Sequence, residues 1–100
     1  MAISDLSKVL EINPRDAKLY FIRGRVYSEK GEYELALADF DHAVEINPGF
    51  AVAYYNRGSV YFLREEYDKA WNDIKEAQEL GYEVPLEFLK VLRKVSGREI

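Results

Sequence analysis

The sequence predicts an all-α fold made of antiparallel helix pairs stacked into an array. Three observations carry that prediction. The first is self-similarity at a spacing of 34 residues, in which Ala17-Lys18-Leu19-Tyr20 lies on Ala51-Val52-Ala53-Tyr54 and Arg23-Gly24 lies on Arg57-Gly58. In the same register Val26-Tyr27 lies on Val60-Tyr61 and Glu32-Tyr33 on Glu66-Tyr67, while Ala36, Asp39, Ala43 and Glu45 recur as Ala70, Asp73, Ala77 and Glu79. A fixed period of this kind outranks any local reading of secondary structure. The second is that apolar residues recur at helical spacing, and nothing alternates with period two over a useful length. The third is the placing of small residues: Gly24 and Ala36 flank one turn, and Gly58 and Ala70 flank the next. A mid-helix glycine costs about 1 kcal/mol against alanine, so its recurrence marks backbones that approach closely.

The elements follow in order. Ile3, Leu6, Val9 and Leu10 give helical spacing over 2–12, and Asn13-Pro14 stops that helix. Asp16 is a fair N-cap for a second helix over 17–30. Gly31 supplies a permissive backbone for the turn, and a third helix runs over 33–46 with Glu32 and Glu34 at its positive end. Asn47-Pro48-Gly49 ends it. A fourth helix is expected over 50–64 and a fifth over 67–80, closed by Gly81. Glu65 stands where Gly31 stood, so the turn between them is expected to be looser. Pro85 suits the first turn of a sixth helix that ends near Ser96-Gly97. Large residues (Tyr20, Tyr27 and Phe40, then Tyr54, Tyr61 and Ile74) are expected to fill the space between helices, with Trp71 in or near the core.

One hundred residues make a single domain with a modest core, and the composition, 48% apolar and 32% charged, is that of a globular chain. Cysteine is absent, which excludes disulfides and thiol-held metals and fits a reducing compartment. A cytoplasmic location is expected, since the first residues show no secretory pattern and no apolar run is long enough to span a bilayer. A net charge of −4 argues against nucleic acid as the main partner.

Signatures of catalysis are missing: no phosphate loop, no Gly-x-Gly-x-x-Gly, no His-Glu-x-x-His, and a single histidine, His42, without a second histidine or a cysteine to complete a metal site. Asp68 and Asp73 read as solvated or structural acids before they read as an acid/base pair. No enzyme activity, cofactor or metal is expected. The most informative polar pattern is structural. Arg23 and Asp39 straddle one turn, and Arg57 and Asp73 straddle the next with the same offset, so each pair should bridge its own hairpin. The competing arrangement pairs Asp5 with Arg23 and Asp39 with Arg57 across units.

The residues that recur resemble the tetratricopeptide repeat pattern of an aromatic, Leu-Gly, Tyr, then Ala and Phe, then Pro. The first copy reads Tyr20, Arg23-Gly24, Tyr27, Ala36, Phe40, Pro48, and the second Tyr54, Arg57-Gly58, Tyr61, Ala70, Ile74. Ala2, Leu6, Val9 and Pro14 match the back half of a unit. Arginine replaces leucine in both copies, and Gly81-Tyr82 replaces Asn47-Pro48, so different turn chemistry leads into the end helix. The resemblance implies a half unit (1–16), two full units (17–50 and 51–84) and a capping helix with its tail (85–100), forming a right-handed superhelix.

It also implies a concave face lined mainly by each unit's first helix, and with it a role in protein–protein interaction. That face takes Lys18, Phe21, Arg25, Ser28 and Glu29 from the first full unit, and Val52, Tyr55, Asn56, Ser59, Phe62 and Leu63 from the second. The end helix adds Leu86, Leu89, Lys90 and Arg93. Four basic residues against one acidic give this face +3 within a chain of −4, which suits a peptide carrying carboxylates. Some family members hold a peptide's terminal carboxylate with a five-residue clamp. Asn56 and Lys90 match it, whereas Phe21, Arg25 and Leu86 do not, so chaperone-tail recognition is not expected. The terminal helices support a second expectation: the first helix lacks a preceding partner and the last resembles half a unit, so copies of the chain would assemble head to tail.

Overall fold

The computed structural model describes residues 2–97 as six helices: α1 (Ile3–Ile12), α2 (Ala17–Glu29), α3 (Tyr33–Ile46), α4 (Ala51–Leu63), α5 (Tyr67–Glu79) and α6 (Leu86–Ser96). Met1 of the expected half unit, and 98–100 of the expected tail, lie outside the described residues. The described residues hold no strand, and the helices stack in chain order into an elongated, all-α superhelix of 44 × 26 × 18 Å.

Each hairpin closes by the same backbone device. After α2, the Gly31 N–H donates to Ser28 C=O and the Glu32 N–H to Tyr27 C=O, with Gly31 at φ +78°. These two bonds, closing over a left-handed residue, satisfy carbonyls that the helix end leaves orphaned. After α4 the Glu65 N–H donates to Phe62 C=O and the Glu66 N–H to Tyr61 C=O, with Glu65 itself at φ +61°. The turn expected to be looser is therefore the same turn, held with a side chain where glycine is the comfortable residue. A third copy follows α5, around Gly81 at φ +96°. The links from α1 to α2 and from α3 to α4 instead run through the Asn-Pro steps, and Asp16 caps α2 by accepting from the Leu19 N–H at 3.2 Å. Pro85 sits one residue before α6, as its N-cap, and not within its first turn.

The glycines lie where backbones nest. A Cβ on Gly24 would fall 2.8 Å from the Phe40 ring, and one on Gly58 would fall 3.0 Å from Asp73 Cβ and 3.3 Å from the Ala70 carbonyl oxygen. Two apolar clusters form around these contacts. One joins Phe21, Ala36, Phe40, Ala43, Val44, Ala53 and Val60, and the other joins Ala70, Trp71 and Ile74 to Leu89 and Leu92 of α6. Trp71 is core, as expected, and its indole N–H donates to Ser96 Oγ at 2.7 Å, pinning the end of α6 to the start of α5. Of the large residues expected between helices, Phe40 and Ile74 are fully buried, whereas Tyr20, Tyr27, Tyr54 and Tyr61 are half-buried.

Candidate peptide-binding groove

Two arginine fixtures hold the helices that would present the groove. Arg23 Nε and Nη2 donate to Asp39 Oδ2 and Oδ1 at 2.8 and 2.7 Å, and Arg57 does the same to Asp73 at the same distances. Each pair spans its own hairpin, and the cross-unit arrangement with Asp5 and Asp39 is not formed. The third nitrogen nevertheless reaches across units: Arg23 Nη1 donates to Ser7 Oγ, and Arg57 Nη1 to Asp41 Oδ1, each at 3.0 Å. Rings flank the guanidinium groups, with Arg23 5.8 Å from the Tyr20 centroid and 5.9 Å from that of Tyr27, and Arg57 5.4 Å from that of Tyr54. Bonding to Asp73 holds the Arg57 guanidinium firmly charged, above its already high ordinary pKa. Burial pushes the Asp73 carboxyl up from its usual range, against the opposing pull of Arg57.

With α2 and α4 fixed in this way, Arg25, Ser28 and Glu29 on α2 and Asn56 on α4 border one cavity of about 120 Å³ that reaches Phe40. Among the described residues no hydrogen bond or ion pair engages the Arg25 guanidinium or the Asn56 amide. The Arg25 guanidinium lies 5.9 Å from the Phe21 ring centroid, which offers it an aromatic shelf. Tyr55 and Phe62 continue the α4 side, half-buried. Phe88 of α6 packs against both, at 5.6 and 5.3 Å between centroids, and Tyr82 stands 4.9 Å from Tyr55. Burial and the neighbouring Tyr82 raise the Tyr55 hydroxyl above its ordinary pKa.

The other residues expected on this face divide by exposure. Lys18, Leu86, Lys90 and Arg93 are exposed, and Val52 and Ser59 are half-buried, with the Ser59 hydroxyl already donating to the Tyr55 carbonyl oxygen at 2.9 Å. Lys18 borders a different, larger cavity beside the α1–α2 link, with Ile12 and Ile46. Phe21 and Leu89 were expected to face a ligand. They are instead only 9% and 8% exposed, the first packed on Phe40 and Phe50 and the second in the Trp71 cluster. Tyr82 and Phe88 were not among the expected groove residues. Their aromatic character beside the α6 start was the available signal. Among the described residues no three His, Asp or Glu side chains are grouped to hold a metal, and no helix is long and apolar enough to cross a membrane.

Family comparison settles the fold's kinship. Profiles described as TPR repeat and tetratricopeptide repeat match residues 24–64, 6–38 and 51–80. The chain belongs to the tetratricopeptide repeat family. Solved structures of the same fold agree. YrrB, described as having an unusual peptide-binding site, is 33% identical with a TM-score of 0.81, over 94% of this chain and 48% of its own. The first tetratricopeptide repeat domain of Spaghetti (RPAP3), bound to the HSP90 peptide SRMEEVD, is 26% identical with a TM-score of 0.84, over 95% of this chain and 75% of its own. MamA is 31% identical with a TM-score of 0.76, over 78% of this chain and 46% of its own. The chain thus spans less than half of the YrrB and MamA chains. A comparison with curated protein sequences finds no match.

Proposed function

We propose that this chain is a non-enzymatic interaction module that holds an extended peptide bearing a carboxylate across α2, α4 and the start of α6. The observation that carries this reading is the cavity shared by Arg25 and Asn56. A cation and an amide from successive units border one opening, and among the described residues no hydrogen bond or ion pair engages either. The guanidinium suits a carboxylate, and the amide can both donate to and accept from a peptide main chain. Lys90 and Arg93 are exposed on α6 and add two cations to the chain's free basic groups. Glu29 on the same rim disfavours an unbroken acidic run, so one carboxylate at Arg25 is the expected occupant. Support also comes from a structural neighbour of the same fold that is bound to SRMEEVD, a peptide with three acidic side chains.

The test is a titration of fluorescent SRMEEVD, used as an acidic probe and not as a specific tail since the five-residue clamp is incomplete here, and of its counterpart with the acidic residues made amides, against the unaltered chain and Arg25→Glu. The acidic peptide should bind the unaltered chain more tightly, the preference should shrink with salt, and Arg25→Glu should weaken it about tenfold, roughly 1.4 kcal/mol. Equal binding of both peptides, or an affinity indifferent to Arg25, would contradict the reading.

A further inference from the structure

The two seams where one unit meets the helix before it are built differently. At the α3–α4 seam Arg57 reaches Asp41 at 3.0 Å and Arg64 reaches Glu34 at 3.9 Å, both as ion pairs. At the α1–α2 seam the corresponding contact is Arg23 to the neutral Ser7 hydroxyl, and among the described residues no ion pair joins α1 to the remainder. Ser7 and Asp41 occupy the same place in the repeat register. α1 is otherwise lightly held. It has 10 residues, its N-cap Ala2 offers no side-chain bond, and only Leu6 and Leu10 are buried. A helix of that length has little stability of its own away from its packing surface.

We propose that α1 opens as its own unit while 17–97 stay folded, and that the charge at position 7 sets how firmly it is latched. A negative group there would lock α1 through Arg23, as Asp41 does through Arg57. The geometry allows this because Arg23 commits Nε and Nη2 to Asp39 and leaves Nη1 for position 7. Arg57 shows that one guanidinium in this setting accommodates two carboxylates. Ser7 is half-buried where Asp41 is 55% exposed, so a charge there would lose part of its hydration, which the approach of Arg23 Nη1 offsets. Peptide capture does not require release, since Arg25 is exposed with α1 docked.

Native-state hydrogen exchange on the full chain, followed over low denaturant concentrations, tests this with Ser7→Asp and the neutral isostere Ser7→Asn. In the unaltered chain the α1 amides should exchange through an opening smaller than global unfolding. Ser7→Asp should slow that exchange about two- to fivefold at low salt, the range of a solvated ion pair, and high salt should remove the gain. Ser7→Asn should not slow it. The proposal is overturned if α1 amides exchange only with the whole chain, or if Ser7→Asp and Ser7→Asn behave alike.

Discussion

Arg57 and Asp73 meet edge to edge across the α4–α5 hairpin, with two bonds of 2.8 and 2.7 Å that Arg23 and Asp39 reproduce one unit earlier. Both carboxylates are buried, whereas the arginine side chains keep 18–20% of their exposure. Removing Asp73 leaves Arg57 only the exposed Asp41, so Asp73→Ala should destabilise the chain by about 3 kcal/mol in urea unfolding, toward the low end for buried pairs because Arg57 keeps that second carboxylate and still meets water. Replacing Arg57 and Asp73 together by apolar residues should cost less than Asp73→Ala alone.

Gly24 and Gly58 should resist alanine despite the gain in helix propensity. At Gly24 the added methyl would press into the Phe40 ring, which is fully buried and has nowhere to turn. Overpacking of this kind costs about 1–3 kcal/mol, more than the ~1 kcal/mol that propensity returns. Gly24→Ala should therefore lower the urea midpoint, and Gly58→Ala should lower it less, since its contacts begin at 3.0 Å.

Glu65 holds a left-handed backbone that costs an L-residue about 1–2 kcal/mol. Glu65→Gly should stabilise the chain by about 1 kcal/mol, after the extra freedom glycine gives the unfolded state, and Gly31→Ala should destabilise it. Thermal unfolding of the two variants checks both signs.

These contacts show how far the sequence could be read. The hairpin bridges were legible because residues equidistant from a turn must face each other, and the 34-residue register doubled the signal. The reach of the third arginine nitrogen to Ser7 and Asp41 was not, because it depends on how one hairpin is rotated against the next. Glu65 misled because residue type alone suggested a different turn, whereas the shared packing of α4 and α5 imposes the same backbone. Phe21 and Leu89 misled for a related reason. Each residue turns a helix face by about 100°, so an assignment one position off moves a ring from groove to core. On the terminal helices Leu6, Leu10, Leu89 and Leu92 are buried within the chain, whereas Ile12, Leu86, Val91 and Val95 stay exposed, and Leu92 lies in the register of Gly24 and Gly58, where a second helix would need a glycine.

The alkaline limit of stability should be set in part by Tyr55 and Tyr61. Burial raises both hydroxyls above the ordinary value of 10.0, so the unfolded chain ionises first. Their contribution is fully present below that value and is lost as pH rises through the higher folded-state values. Chemical unfolding from pH 8 upward should show stability falling beyond about pH 10, with a shallower fall in Tyr55→Phe.

The most direct test of the groove is to watch its two convergent side chains while a peptide binds. In nitrogen-15 NMR spectra of the chain titrated with SRMEEVD, the Asn56 side-chain amide and the Arg25 Nε–H should shift together and saturate at one peptide concentration, ahead of signals on α1. Shifts confined to α1 or the outer tyrosines, with Asn56 and Arg25 unmoved, would contradict the account.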